Sequence, residues 1–368
     1  MTPSIPRVHS PKYQQVFDTI KGDILSGRYQ PGQKLPSEAA LLKRFGTSRI
    51  TVGRALRELQ QEGLIQRRAG SGTYVGAASP GDGLLFGLLI PNLSDTEIFA
   101  PICQGMSEAR QARKNALLWG NITPDPETKD EQTWQLCRQY IAKKVAGVLF
   151  APLERTAASN QTNHRVVSAL ELAGIPVVLL DRCILPYPKR SPHDLIAIDH
   201  RRAGYMITEH LLGLGCRRIA FVAYSNSAST VVARISGYRE ALSVADVPAE
   251  PIMIQRLHND DEREIRQLME TLRPEAIVGA NDRTAGHLMH ILMRLGYRVP
   301  QDVRIVGIDD VEYANLLPVP LTTVRQPCRE IGIAAMAAIL ERVANPDMPV
   351  RDILLDCQLV IRNSCGSL

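Results

Sequence analysis

Apolar residues recur every three or four positions over the first sixty residues of the chain. Tyr13, Val16, Phe17, Ile20, Ile24 and Leu25 fall on one face at helical spacing and predict an amphipathic helix. The pattern breaks at SGRYQPGQ, where Gly27 suits a helix end and Pro31-Gly32 a turn. LPSEAALLKRFG predicts a second helix, with Ser37 as N-cap, Glu38 in the first turn and Gly46 at the end. TSRITVGRALRELQQEGLI predicts a third, capped by Thr47 or Ser48 and ended by Gly63. On it, Val52, Ala55, Leu56 and Leu59 form the core face. Ile50, Arg54 and Arg57 point the other way, with Gly53 on the shoulder of that outer face. LIQRRAGSGTYV then reads as two short strands around a glycine-rich tip. A helix, a helix-turn-helix and a hairpin make a winged helix, whose third helix fits the major groove of DNA.

Beyond residue 83 the period changes. Short aliphatic runs appear in LLFGLLIP, ALLWG, VAGVLFAP, IPVVLLD, RRIAFVAY, EAIVGAND and VRIVGIDD. Amphipathic stretches lie between most of them, at 98–113, 128–143, 163–173, 201–214, 230–245, 260–271 and 282–295. Alternating strand and helix predicts an α/β fold with a doubly wound parallel sheet, and unbroken apolar strands fit sheets covered on both faces. The stretch is long enough for two such lobes. Between the two patterns, GAASPGDG at 76–83 reads as a flexible linker. Three strands end in polar pairs: Asp181-Arg182, Asn281-Asp282 and Asp309-Asp310. Ligands of open parallel sheets bind at such ends, so three together predict a polar cleft, although Asn281 and Asp309 are also well placed to cap the helices that follow.

Charge sharpens the division. The 368 residues carry a net charge of +5, but residues 1–77 hold 12 Lys+Arg against 5 Asp+Glu, and the remainder 31 against 33. A basic first fifth on a neutral body is the electrostatic footprint of a nucleic-acid-binding head. The seven cysteines are dispersed without a C-x-x-C pair, and His287 and His290 lack a third ligand nearby, so neither disulfides nor a metal are expected. No apolar run approaches a bilayer span and the N-terminus lacks a signal-peptide pattern, which predicts a cytoplasmic protein away from membranes. No G-x-S-x-G, P-loop or lysine in a cofactor context is present, so neither an enzyme nor a cofactor is expected. A pure sugar-binding transport module fits poorly with the basic head.

Residues 11–75, through LPSEAALLKRFGTSRITVGRALRELQQEGLIQRRAGSGTYV, strongly resemble the DNA-binding domain of GntR-type transcription regulators. The resemblance implies that Ser48 and Thr51 hold phosphates and that Arg49 reaches a base edge or phosphate. It implies a wing of Arg67, Arg68, Gly70, Ser71 and Gly72, and places Ser37 with the DNA-binding residues. Relatives commonly carry arginine where this chain has Gly53, so one common DNA contact is missing here. Ile50, exposed on the same face, can pack on a thymine methyl, while Arg54 and Arg57 keep the face basic.

The body resembles the effector domain of LacI/GalR-type regulators, which are relatives of periplasmic sugar-binding proteins. GLLIPNLSDTEIFAPICQGMSEA, VVLLDRC, IAIDHRRAGYMITEHLLGLGCRRIAFV, ARISGYREAL, AIVGANDRTAGHLM, VRIVGIDDVEYANLLPVPLTTVRQP and DCQLVIRNSC carry it over nearly all of 84–365. Together the two parts resemble the arabinose-repressor architecture. The implied organisation is a DNA-binding domain at 1–77, a linker at 78–83 and a ligand-binding domain at 84–368. Its first lobe would span about 84–190 and 322–345, its second about 191–321 and 346–368. The implied cleft holds Thr96, Ile98, Phe99, Asp181, Arg182, Arg234, Asn281, Asp309 and Gln326. Asp, Asn and Arg suit the paired hydrogen bonds of sugar hydroxyls, and Phe99 would cover an apolar sugar face. Glu97 departs from the apolar or proline residues usual in relatives and adds a hydroxyl acceptor or a partner for a cationic group. The resulting expectation is a homodimeric transcription regulator, in the main a repressor, that binds double-stranded operator DNA under control of a small effector, a sugar in the first instance.

Overall fold

The computed structural model describes residues 12–25, 28–29, 32–61, 64–68, 71–75, 83–90, 97–109, 114–120, 126–154, 159–225, 227–258 and 262–367. It divides into two compact units, 1–84 and 85–368. The helix-end signals at Gly27, Pro31 and Gly63, and all but Gly83 of the linker at 78–83, lie outside the described residues.

The head contains α1 (Lys12–Leu25), α2 (Glu38–Phe45), α3 (Arg49–Gln61) and a hairpin of β1 (Ile65–Arg68) and antiparallel β2 (Gly72–Val75). Val16, Ile20, Leu41, Val52, Leu56, Leu59 and Ile65 are buried together as its core. Polar caps define the helix starts. Ser37 Oγ accepts from Ala40 N at 3.2 Å, and Ser48 Oγ from Thr51 N at 3.3 Å, so Ser48 rather than Thr47 caps the third helix. Gly46, at φ +56°, ends α2 in the left-handed conformation that glycine adopts without strain.

The body holds two six-stranded sheets. The first contains β3 (Leu85–Leu89), β4 (Ala116–Trp119), β5 (Gly147–Phe150), β6 (Val177–Leu180), β7 (Asp194–Ile198) and β13 (Asp352–Leu355), in the order β13-β7-β6-β5-β3-β4 and parallel throughout. The second contains β8 (Ile219–Tyr224), β9 (Ile254–Leu257), β10 (Ala276–Gly279), β11 (Arg304–Asp309), β12 (Thr322–Arg325) and β14 (Gln358–Val360), in the order β14-β12-β11-β10-β8-β9. Only the pairing of β14 with β12 is antiparallel. α4 (Phe99–Glu108), α5 (Pro126–Ala142), α6 (Ser159–Leu172) and α11 (Cys328–Ala344) accompany the first sheet, and α7 (His200–Gly213), α8 (Ser229–Val244), α9 (Glu262–Leu272) and α10 (Asp282–Arg294) the second. No helix among the described residues is long and apolar enough to cross a membrane.

The lobe limits read from the sequence need correction. β7 pairs with β6, so the chain leaves the first lobe at Asp199, not at 190. β12 pairs with β11, which moves the return from 321 to Gln326-Pro327. β13 pairs with β7 and β14 with β12, which moves the last crossing from 345 to Asp356-Cys357. These strands are short, and no helix separates β6 from β7, so local alternation could not assign them to a sheet.

Two helix pairs fix the cleft walls through backbone contact. A Cβ on Gly105 of α4 would lie 2.0 Å from Arg329 O, and one on Gly332 of α11 2.0 Å from Ile102 O. In the other lobe, a Cβ on Gly204 of α7 would lie 2.0 Å from Arg234 O, and one on Gly237 of α8 1.8 Å from Arg201 O. Only glycine permits this approach, and the α7/α8 contact fixes the backbone from which Arg234 projects.

Candidate functional site

The cleft lies where strand ends of both lobes meet the crossing segments. Ile98, Glu154, Asp181, Arg182, Ser227, Thr230, Arg234, Asn281, Thr284 and Asp309 all line it. Asp181 leaves its strand at φ +66°, in the left-handed region that Asp tolerates better than most residues, and Asp309 ends its strand at φ +139°, which few residues other than glycine adopt. Arg182 Nη1 donates to Glu154 Oε2 at 2.7 Å, and its Nε lies 3.4 Å from Asp181 Oδ2. That second approach is a charge contact without hydrogen-bond alignment, so Arg182 Nε is buried with its donor unmet.

A chain of polar side chains then links the lobes. His200, at the first crossing, holds its Nε2 3.2 Å from both Asp181 Oδ1 and Asp181 O. Arg234 Nε and Nη2 donate to His200 Nδ1 at 3.3 and 3.2 Å. A guanidinium only donates, so Nδ1 accepts and Nε2 carries the proton shared with Asp181. Arg234 also donates from Nη1 to Ala280 O at 2.7 Å and from Nη2 to Asp309 Oδ1 at 3.2 Å. Gln326, at the second crossing, donates to the same Asp309 oxygen at 2.7 Å.

The carboxylates differ in electrostatics. Burial raises the Asp181 pKa, but Arg182, His200 and Arg234 more than offset it and hold the carboxyl well below the usual range. Burial outweighs the lowering by Arg234 and Gln326 at Asp309, whose pKa is raised. Asp282 is pushed up to about 7 by burial and then by Asp309. Its oxygens accept from Thr323 Oγ1 at 2.6 Å and Val311 N at 3.1 Å, so it braces the cleft floor. Among the described residues, no group of three His, Cys, Asp or Glu could hold a metal.

On the head, Arg49 and Ile50 are 84% and 81% exposed along α3. Glu38 of α2 sits between Arg49, at 3.8 Å, and Arg67 of the hairpin, with which it forms a closer ion pair. Gly72 has φ +123°, a backbone conformation that requires glycine, and a Cβ there would push the Lys34 side chain aside.

Two family models cover much of the chain: bacterial regulatory proteins of the gntR family at 12–75, and a periplasmic binding protein-like domain at 208–365. The arabinose metabolism transcriptional repressor of Geobacillus stearothermophilus is 29% identical, over 96% of this chain and 97% of that protein. The ribose operon repressor of Haemophilus influenzae is 32% identical, over 77% of this chain and 81% of that protein. The crystal structure of a LacI family transcriptional regulator from Enterococcus faecium matches with a TM-score of 0.63 at 23% identity, over 77% of this chain and 99% of that one, which speaks to the fold. The chain belongs to the LacI/GalR-type transcription regulators. Its DNA-binding head is of the gntR type.

In this LacI/GalR-type regulator the cleft gathers Ile98, Asp181, Arg182, Arg234, Asn281 and Asp309, with Gln326 bonded to Asp309. Thr96 lies outside the described residues. Glu97 is exposed, and its pKa is raised by burial, Asp309 and Glu312 against the lowering by Arg283, so it faces the second lobe. Phe99 needs correction as a cover for a sugar face. It is 1% exposed in the core, because the turn into α4 presents Ile98 to the cleft instead. Asn281 does cap its helix: Oδ1 accepts from Thr284 N at 2.9 Å and Thr284 Oγ1 at 2.8 Å. Asp310 turns away to Arg325 and Arg362.

Glu154 and His200 were not among the residues read from the sequence. Glu154 sits four residues past β5, in FAPLE, where the strand-end rule would have found it if extended past the apolar Ala151, Pro152 and Leu153 to the first polar position. His200 carries no local signal, because its role depends on two distant partners. On the head, Ser37, Ser48, Thr51, Arg57 and Ser71 lie where read, and Ser71 Oγ shares a 2.7 Å hydrogen bond with Tyr74 OH. Arg54 is less available than expected: it stacks 3.7 Å over the Tyr13 ring and pairs with Glu58 at 3.1 Å. Gly70 and the Arg68 side chain lie outside the described residues.

Proposed function

We propose that this regulator is a cytoplasmic, homodimeric repressor whose operator binding is relieved by a sugar held between the two lobes of its body. The observation that carries the reading is the buried polar chain Asp181–His200–Arg234–Asp309–Gln326, which joins both lobes through two crossing segments. A ligand that bonds to Asp181 and Arg182 on one side and Arg234 and Asp309 on the other favours the lobe arrangement that offers both sets together. Its effect on DNA binding is bounded by its differential affinity for the two arrangements. The sugars in the names of the arabinose metabolism and ribose operon repressors among its relatives, and the ribose bound in the Enterococcus faecium structure, support the same ligand class. The proposed DNA contacts come from Ser37, Ser48, Arg49, Ile50, Thr51, Arg57 and the wing around Arg67. Two winged-helix heads in a dimer read two half-sites.

The test is a thermal-shift screen of the full chain against neutral monosaccharides, followed by operator binding with and without each hit. The operator is first selected from random duplexes. A ligand at about 100 times its Kd adds about 2.7 kcal/mol, a shift of a few degrees. Stabilisation by a monosaccharide together with release of the duplex supports the proposal. Stabilisation without any change in DNA affinity would refute the coupling.

A further inference from the structure

We propose that the cleft selects an uncharged sugar over its carboxylate or phosphate form, and that Glu154 sets this selection. The inference rests on the reading of the cleft as a sugar site and narrows it to one charge class.

Anion recognition by arginine needs a guanidinium fork free to meet two oxygens. Arg234 has none free, and Arg182 holds its own between two carboxylates. Arg234 gives Nη1 to Ala280 O, Nη2 to Asp309, and Nε with Nη2 to His200 Nδ1. Arg182 gives Nη1 to Glu154 and sets Nε against Asp181. The two cations lining the cavity thus face three carboxylates, Glu154, Asp181 and Asp309, a formal balance of −1. An anionic ligand must therefore enter a negative field or displace a carboxylate that is already paired.

The three carboxylates are not equally displaceable. Asp181 is held by His200 as well as Arg182, and Asp309 by Gln326 as well as Arg234. Glu154 has Arg182 as its one partner among the described residues, and its side chain keeps 13% exposure. It is the carboxylate whose removal would free an arginine. An uncharged sugar needs no displacement. Its hydroxyls can donate to the carboxylates and leave every charge paired.

The experiment compares the full chain with Glu154→Gln, which keeps size, and Glu154→Asp, which keeps charge. Calorimetry and thermal shift read L-arabinose, D-ribose, D-xylose and D-galactose against the corresponding aldonates and D-galactose 6-phosphate. For the wild type, the acid forms are expected to bind at least about tenfold more weakly than the neutral sugar that binds. Glu154→Gln should shrink that gap to within about threefold, and Glu154→Asp should restore it. An acid form that binds the wild type as tightly as its neutral parent would overturn the charge selection. A gap unchanged in Glu154→Gln would overturn the role of Glu154.

If no sugar of either form binds, the sugar reading fails on its own, and sulfate decides the charge inference. At matched ionic strength against chloride, sulfate should stabilise Glu154→Gln more than the wild type and Glu154→Asp, above the general salting effect common to all three. Equal sulfate effects in all three proteins would refute it.

Discussion

The arginines of the head and those of the cleft are paired with the same chemical group and are put to opposite use. Arg67 and Arg49 share Glu38 on a surface where their side chains are 38% and 84% exposed. Arg182 and Arg234 meet Glu154, Asp181 and Asp309 at 4% and 5% exposure. In high dielectric a pair is worth little and is readily exchanged for a phosphate. In a buried site the same pair cannot be exchanged without exposing an uncompensated charge. The head therefore keeps its cations transferable, and the cleft keeps its cations fixed.

One substitution made in both places tests that contrast most severely. Arg182→Met preserves the apolar stem and removes the charge, leaving Asp181 and Glu154 without their cation. We expect a loss of about 3–5 kcal/mol in urea unfolding. Arg67→Met should cost under about 1 kcal/mol. Comparable losses at the two positions would mean that burial does not separate them.

Acidity gives the next contrast. In the head, burial raises the Asp23 pKa but Arg44 and Arg28 outweigh it, so its contribution to stability is present above the unfolded pKa and fades as pH falls. Asp282 in the cleft floor runs the other way. Its folded pKa, raised to about 7, lies above the unfolded value, so its contribution is complete at low pH and is lost as pH rises through about 7. Asp282→Asn, which never ionises, should therefore gain melting temperature relative to the wild type between about pH 5 and pH 8. A difference constant across that range would mean that Asp282 does not titrate there.

These contrasts also mark what could be read in advance. The helical period located α3 and α8, each of which buries a regular face, and unbroken apolar runs located β6 and β11, which are buried on both faces. The strand-end rule found Asp181, Asn281 and Asp309. It missed Glu154, since a loop residue four places past its strand has no periodic signature. It could not find His200, whose role depends on Asp181 and Arg234, or the true lobe crossings, which depend on strand pairing that local patterns do not carry, up to β13 on β7 more than a hundred and fifty residues apart. Phe99 was misjudged for a simpler reason: the period shows that a residue is apolar, not whether it faces core or cleft.

Glycines repeat the contrast on a smaller scale. Gly237 meets Arg201 O, whereas a Cβ on Gly53 would meet nothing within 4 Å. Gly53→Ala should therefore stabilise the head by up to about 1 kcal/mol. Its effect on DNA affinity carries the information. Unchanged affinity makes Gly53 a tolerated weakness in α3. A loss would show that the DNA backbone approaches there as closely as Arg201 approaches Gly237.

The smallest effect on stability should be the clearest on DNA. If Arg67 leaves Glu38 for a phosphate, Arg67→Met removes one counterion release from binding. The slope of log K against log salt should then fall by about 0.9, uniformly across operator sequences. Glu38→Gln should act in the other direction: with Arg49 and Arg67 no longer held, the affinity should rise at low salt while the slope is kept. If instead Glu38→Gln weakens binding, Glu38 is not competing with DNA for the two arginines. It would then be holding them in the geometry that DNA requires, and the head would share the fixed-cation design of the cleft.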